Sequence, residues 1–202
     1  MLTSFSTVVC GKEKILPISE DQAYEELKPH IRRLWNCLEN AYQRYRQYPD
    51  ILVHRKSTRA NIVNDLILEN VIAQFDEVPG TMIIQQDLGQ LRLLSISEFV
   101  TLWFKKLDEH RESSNVSTRQ AEELNRGQMH LFGEGDLLIA GYQLNDDETA
   151  IKCMSFSPPN CVKPRWFIDV ERVAQPLVMG SPRPAQQGLR LRIIKGPEQI
   201  IL

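Results

Sequence analysis

The chain has 202 residues, 42% of them hydrophobic, which is enough for a core of ordinary size, and we expect one domain with appendages. Lys and Arg total 24 against 26 Asp and Glu, so a net charge of -2 provides no global basic field that would attract nucleic acid. Any such binding must be local.

The cysteines and the N-terminus argue against several protein classes. The 4 cysteines are widely spaced and form no C-x-x-C pair, which disfavours a zinc site or a disulfide framework. We therefore expect a reducing, cytoplasmic compartment. The N-terminus lacks a basic region followed by an apolar run, and no apolar stretch reaches about 18 residues, so neither secretion nor membrane spanning is expected.

Two helices are predicted near the N-terminus. Ser19 can cap a helix from about Glu20, and Pro29 either kinks it or starts the next one. Apolar residues then recur at helical spacing over residues 30–47: Ile31, Leu34, Trp35, Leu38, Tyr42 and Tyr45. We favour a core-facing stripe. The alternative is a nucleic-acid surface on which the tyrosines stack on bases while Arg44 and Arg46 meet phosphates.

A third helix is expected to begin at Ser57 or Thr58, either of which can serve as the N-cap, and to stop before Pro79-Gly80. No acid occurs between Ile51 and Asn64. Cations precede and enter the first turn within this window: His54, Arg55, Lys56 and Arg59. Together with free backbone N–H groups they would form a local anion site, and the alternative is a solvated approach to the helix.

The remaining elements are mostly strands. Residues 81–85 and 90–96 form a hairpin across Asp87-Leu88-Gly89, and residues 98–107 form an interior strand that emerges at Lys105 and Lys106. A further helix is predicted over residues 119–126, followed by a hairpin of residues 136–144 and 151–156, a core strand at 166–168, and strand-like alternation over 189–194. We therefore predict an α+β fold with a mixed or antiparallel sheet. It divides into a helical lead-in (1–52), a core (53–172) and a C-terminal extension (173–202).

This order of elements resembles the core of restriction-endonuclease-like nucleases. The resemblance implies a metal-dependent nuclease with Mg²⁺ or Mn²⁺, in which acids bind the metal and a lysine polarises the attacking water. The matching positions would be Glu69, Asp87 and Lys105 or Lys106. The chain departs from the Glu-x-Lys pattern because Trp103 and Phe104 stand where the glutamate is expected. The resemblance thus implies a scaffold that binds without cutting, or an atypical site using Asp108.

A second resemblance covers residues 53–170 and is carried by Thr58-Arg59-Ala60-Asn61-Ile62-Val63-Asn64-Asp65-Leu66-Ile67, Phe104-Lys105-Lys106-Leu107-Asp108, Asn115, Thr118, Arg119 and Gln120. In these residues the chain resembles uncharacterised bacterial proteins encoded beside repressor-like helix-turn-helix and zinc-peptidase genes. It implies a role in a defence, toxin-antitoxin or mobile-element operon, with a protein partner from a neighbouring gene. His130-Leu131-Phe132-Gly133 is not the His-Glu-x-x-His of such a peptidase.

Both resemblances lead to one expectation, a basic groove at one end of the sheet that contacts nucleic acid. Its predicted residues are Arg55, Lys56, Arg59, Lys105, Lys106 and Arg119. Two alternatives stay open at this point. One is the metal-dependent nuclease using Glu69, Asp87, Lys105 and Asp108, and the other is a protein-interaction module, such as an antitoxin, an inhibitor or a complex subunit, that docks through the aromatic helix and the tail.

Overall fold

The computed structural model describes residues 18–48, 53–85, 92–113, 136–159, 166–173 and 188–195. Within these ranges the helices are α1 (Glu20–Leu27), α2 (Ile31–Arg46) and α3 (Lys56–Phe75). The strands are β1 (Thr81–Gln85), β2 (Arg92–Ile96), β3 (Val100–Lys106), β4 (Asp136–Leu144), β5 (Ile151–Ser157), β6 (Trp166–Val173) and β7 (Gly188–Lys195). The predicted α+β class is confirmed. None of the helices in the described part of the chain is long and apolar enough to cross a membrane.

The seven described strands form one mixed sheet in which spatial order follows chain order. Neighbours are antiparallel except β3 and β4, which run parallel from Val100↔Asp136 to Lys106↔Tyr142. The predicted hairpins β1–β2 and β4–β5 are confirmed, as is the interior position of β3. A parallel pair needs a crossover connection, and the helix predicted over residues 119–126 lies outside the described residues.

The first two helices follow the sequence pattern closely. The Ser19 hydroxyl accepts the Gln22 N–H at 3.3 Å and so caps α1 as predicted. The apolar stripe of α2 is buried, and Tyr42 and Tyr45 are only 4% and 6% exposed. The prediction of a core-facing stripe is therefore confirmed. These two rings belong to the chain's own core cluster, so internal packing takes up most of their surface.

The predicted start of α3 is wrong. The helix begins at Lys56, and its N-cap is Arg55, whose backbone is extended (φ −62°, ψ 154°) and whose side chain makes no capping hydrogen bond. Ser57 and Thr58 lie within the first turn and have helical geometry, so neither occupies the N-cap position from which a hydroxyl reaches the free N–H groups. The helix ends at Phe75, before Pro79-Gly80.

The two faces of the sheet have different surroundings. Val100, Leu102 and Phe104 of β3 join the core shared with the helices. Because side chains alternate along a strand, Trp103 and Lys105 point to the opposite face. On that face Ser155 donates to Asp169 Oδ1 at 2.6 Å, and Arg111 forms an ion pair with the same carboxylate.

The C-terminal strand extends the sheet. The alternation over residues 189–194 is confirmed as a strand, β7, which pairs with β6 from Trp166↔Lys195 to Val173↔Gly188. Residues 1–17 of the predicted helical lead-in lie outside the described residues. The division into lead-in, core and extension stays a prediction.

Candidate nucleic-acid interface

A cleft of about 350 Å³ lies where the end of α2, the start of α3, the end of β3 and the β4–β5 turn meet. We call it the basic cleft. Its charged lining comprises the cations Arg46, Lys56, Arg59 and Lys106 and the acids Asp147 and Glu148. Buried tyrosines and aliphatic side chains form its floor: Tyr42, Tyr45, Val63, Tyr142 and Leu144. The cleft thus combines an excess of positive charge with an apolar base.

Three neighbouring elements bring these cations together. Lys106 is the last residue of β3 and lies opposite Tyr142 of β4. Helix α3 contacts β3 and packs along α2. Lys56 and Arg59, from the start of α3, line the same cleft as Lys106. Arg46 is the last residue of α2. The cleft therefore depends on how the helices cover the sheet, not on a single run of sequence.

Glu148 occupies a central position among the cations. Its carboxylate lies 3.1 Å from Lys106 Nζ and 3.4 Å from Arg59 Nη1. The hydrogen bond from Lys106 lowers the pKa of Glu148, the positive charges of Lys106, Arg59 and Lys56 lower it further, and partial burial opposes them. No acid lies close to the α3 start in the sequence, but Glu148 lies beside it in the folded chain.

Hydrogen bonds from side chains to its backbone hold the β4–β5 turn that carries Glu148 in place. Asn145 Oδ1 accepts the N–H groups of Thr149 at 2.7 Å and Ala150 at 3.0 Å. The Tyr42 hydroxyl donates to the Glu148 carbonyl, and Arg46 Nη1 donates to the Thr149 carbonyl at 3.0 Å. Glu148 itself has a positive φ of 48°. The turn is thus tied to α2 at two points.

The tyrosines of the floor are neutral at ordinary pH. Burial raises the pKa of Tyr42 to about 12, and the charge of Glu148 adds to the effect. Burial also raises the pKa of Tyr142, which is 1% exposed. The floor therefore adds no negative charge that would weaken anion binding.

The structure brings together half of the predicted groove. Lys56, Arg59 and Lys106 line the basic cleft. Arg55 is exposed at the N-cap and does not line it. Lys105 lies on the other face of the sheet, with Nζ 3.7 Å from the centroid of the Trp103 ring, and burial lowers its pKa to about 8. Arg119 lies outside the described residues.

The residues predicted for a nuclease are not gathered in one place. The Glu69 side chain is 61% exposed and pairs with Arg44 of α2 at 3.1 Å, on the helical side of the sheet, whereas Lys105 is on the opposite side. Asp108 Oδ1 accepts the N–H groups of His110 and Glu112, each at 2.8 Å, and so orders the turn after β3. Asp87 lies outside the described residues. Among the described residues no three His, Cys, Asp or Glu side chains are arranged to hold a metal ion.

Sequence reasoning did not include Arg46 or Glu148 in the groove. Arg46 had a detectable signal, because it follows Arg44 at the end of an amphipathic helix. Glu148 had none, since its ion-pair partners lie 42 and 89 residues away in the chain.

The chain matches no protein-family model, and neither the curated proteins nor the solved structures include a significantly similar chain.

Proposed function

We propose that this protein binds nucleic acid through the basic cleft, as a cytoplasmic accessory protein of a bacterial defence, toxin-antitoxin or mobile-element system. The observation that supports binding is the convergence of Arg46, Lys56, Arg59 and Lys106 on one cleft. Lys and Arg side chains at this density supply the contacts that proteins make to phosphate oxygens. The type of system rests on the sequence resemblance of residues 53–170 alone.

The start of α3 supports the proposal through its backbone. No side chain caps the helix, so the N–H groups of its first turn keep their capacity to donate. Lys56 lies in this turn and lines the cleft. A phosphate that enters beside Lys56 would meet both the free donors and the positive end of the helix dipole.

The charge balance sets the expected strength. The chain has a formal net charge of -2, so attraction at long range is weak and only phosphates inside the cleft gain energy. Each neutralised phosphate contributes a slope of about −0.9 to the dependence of log K on log salt for B-DNA. With the few cations available, we expect a shallow salt dependence and modest affinity, with a dissociation constant on the order of micromolar.

The test is a titration by fluorescence anisotropy with single- and double-stranded DNA and RNA at two salt concentrations. Lys106→Gln should weaken binding to the preferred nucleic acid and reduce the salt slope by about one unit. Lys105→Gln is the matched control when the titration is run well below pH 8, because there it removes the same charge from the adjacent residue on the opposite face of the sheet. We expect that variant to bind like the wild type.

Three outcomes would oppose the proposal. Absence of binding at low salt for all four nucleic acids would refute it. Equal losses in Lys105→Gln and Lys106→Gln would show that the basic cleft is not the binding surface. Incubation with Mg²⁺ and Mn²⁺ should leave the nucleic acid intact. A cleavage activity that remains with the protein through further purification would identify a nuclease instead of a binding protein.

A further inference from the structure

We propose that Glu148 is an internal competitor for the nucleic-acid phosphate: its carboxylate neutralises the cleft cations in the free protein and must leave them when nucleic acid binds. This inference rests on the proposed function and describes how the same site is regulated. It predicts that in the free protein the Glu148 carboxylate partly blocks the binding site.

The contacts of Glu148 are those that a phosphate oxygen would make. One carboxylate oxygen lies 3.1 Å from Lys106 Nζ, and the other lies 3.4 Å from Arg59 Nη1. Lys and Arg bind carboxylates and phosphates with the same donor groups. Both cations are therefore engaged by an acid of the protein before any ligand arrives.

The side chain of Glu148 can leave these contacts easily. It is 44% exposed, and Lys106 and Arg59 are 34% and 23% exposed, so water screens both ion pairs. Ion pairs that water reaches in this way contribute little to stability. The 3.4 Å contact with Arg59 is also too long for a strong hydrogen bond.

The backbone of Glu148 stays beside the cleft even when the side chain moves. Its carbonyl accepts the Tyr42 hydroxyl, and the neighbouring Thr149 carbonyl accepts Arg46 Nη1 at 3.0 Å. A tethered carboxylate acts at a high effective concentration. Rotation of one side chain would open the cleft, and no rearrangement of the β4–β5 turn is required.

A comparison of Glu148 with Asp147 distinguishes this inference from a general effect of negative charge. It precedes Glu148 in the same turn and lines the same cleft. Among the described residues, no ion pair joins Asp147 to a cation. Asp147→Asn and Glu148→Gln each remove one negative charge, so a purely long-range effect on the affinity would be similar in both variants.

The experiment compares wild type, Glu148→Gln and Asp147→Asn in binding a labelled single-stranded DNA oligonucleotide at low salt, with urea denaturation as a check that each variant folds. Loss of two exposed ion pairs should tighten binding by Glu148→Gln by roughly 3- to 10-fold. The Asp147→Asn variant should bind within about twofold of the wild type. If the oligonucleotide is not a ligand, the same comparison is made with single-stranded RNA and duplex DNA.

A second measurement tests the competition directly. Lys106→Gln should reduce affinity more in the Glu148→Gln background than in the wild type, because only there is Lys106 fully available to the phosphate. Equal gains in Glu148→Gln and Asp147→Asn would overturn the inference while leaving the proposed function intact, and so would weaker binding by Glu148→Gln. Absence of binding by all variants to every probe would refute the proposed function and this inference together.

Discussion

Gly141 of β4 is expected to be a position where even a methyl side chain destabilises the protein. It pairs with Lys105 of β3 and Ser155 of β5, so its backbone is fixed from both sides. A Cβ built on Gly141 would lie closer than 3.0 Å to three atoms of the Leu107 side chain. Leu107 is 5% exposed, so its side chain has little free space to move into, and its N–H donates to the Tyr142 carbonyl at 2.9 Å, which fixes its backbone. The requirement at Gly141 is therefore one of space.

The free-energy change of Gly141→Ala combines two opposing effects. Forcing an extra group into a packed core costs roughly 1–3 kcal/mol. Replacing Gly by Ala within a strand restricts the unfolded chain and recovers roughly 0.5–1 kcal/mol. We expect a net loss of roughly 1–2 kcal/mol in the free energy of unfolding. Leu107→Ala alone should cost roughly 2–4 kcal/mol, because it leaves a cavity.

The double variant tests the reason for these losses. In the Leu107→Ala background the new Cβ of Gly141→Ala enters space vacated by leucine, so its cost should disappear or become a gain. Gly80→Ala is the control, because Gly80 has a φ of +79° and nothing within 4 Å of a built Cβ, so its cost is backbone strain that Leu107→Ala cannot relieve. Urea denaturation of all variants gives the free energies. An unchanged cost of Gly141→Ala in both backgrounds would refute the reasoning.

Three further predictions concern buried groups of the other sheet face and of α2. Burial lowers the Lys105 pKa from 10.5 to about 8, so between these pH values the unfolded chain binds more protons than the folded one. The free energy of unfolding should therefore rise with pH across that window, by roughly 1–3 kcal/mol. Urea titrations at several pH values should show that Lys105→Met removes this rise. Asp169→Asn should cost roughly 1–3 kcal/mol in the same assay, because Asp169 is 1% exposed and accepts from Ser155 and Arg111. Burial raises the pKa of Cys37 to about 12 and also raises the pKa of Cys153. Peptide mass spectrometry should therefore find both thiols unalkylated at pH 8 until urea is added, and rapid labelling of the native protein would contradict their burial.

The local elements of this fold were predictable because each depends on residues close in sequence. The stripe of α2 has a helical period, and the turn residues 145–148 predict the β4–β5 hairpin from their chemistry alone. The cleft was only half predictable, since it needs the β4–β5 turn to lie beside the end of α2 and the start of α3. That placement depends on the packing of α2, α3 and the sheet, for which the sequence carries no local signal.

Lys105 and Lys106 show where the prediction stopped. The apolar run that precedes them covers both faces of β3, so the strand was predicted to be interior and both lysines were assigned to one groove. The alternation of side chains already requires that neighbours point to opposite faces. Choosing between them needs the knowledge of which face the helices cover, and the structure places Phe104 and Lys106 on that face. Well below pH 8 Lys105 is protonated, so there the two lysines differ in surroundings and not in charge. At such a pH, exchanging one or the other for glutamine separates the effect of the basic cleft from that of net charge.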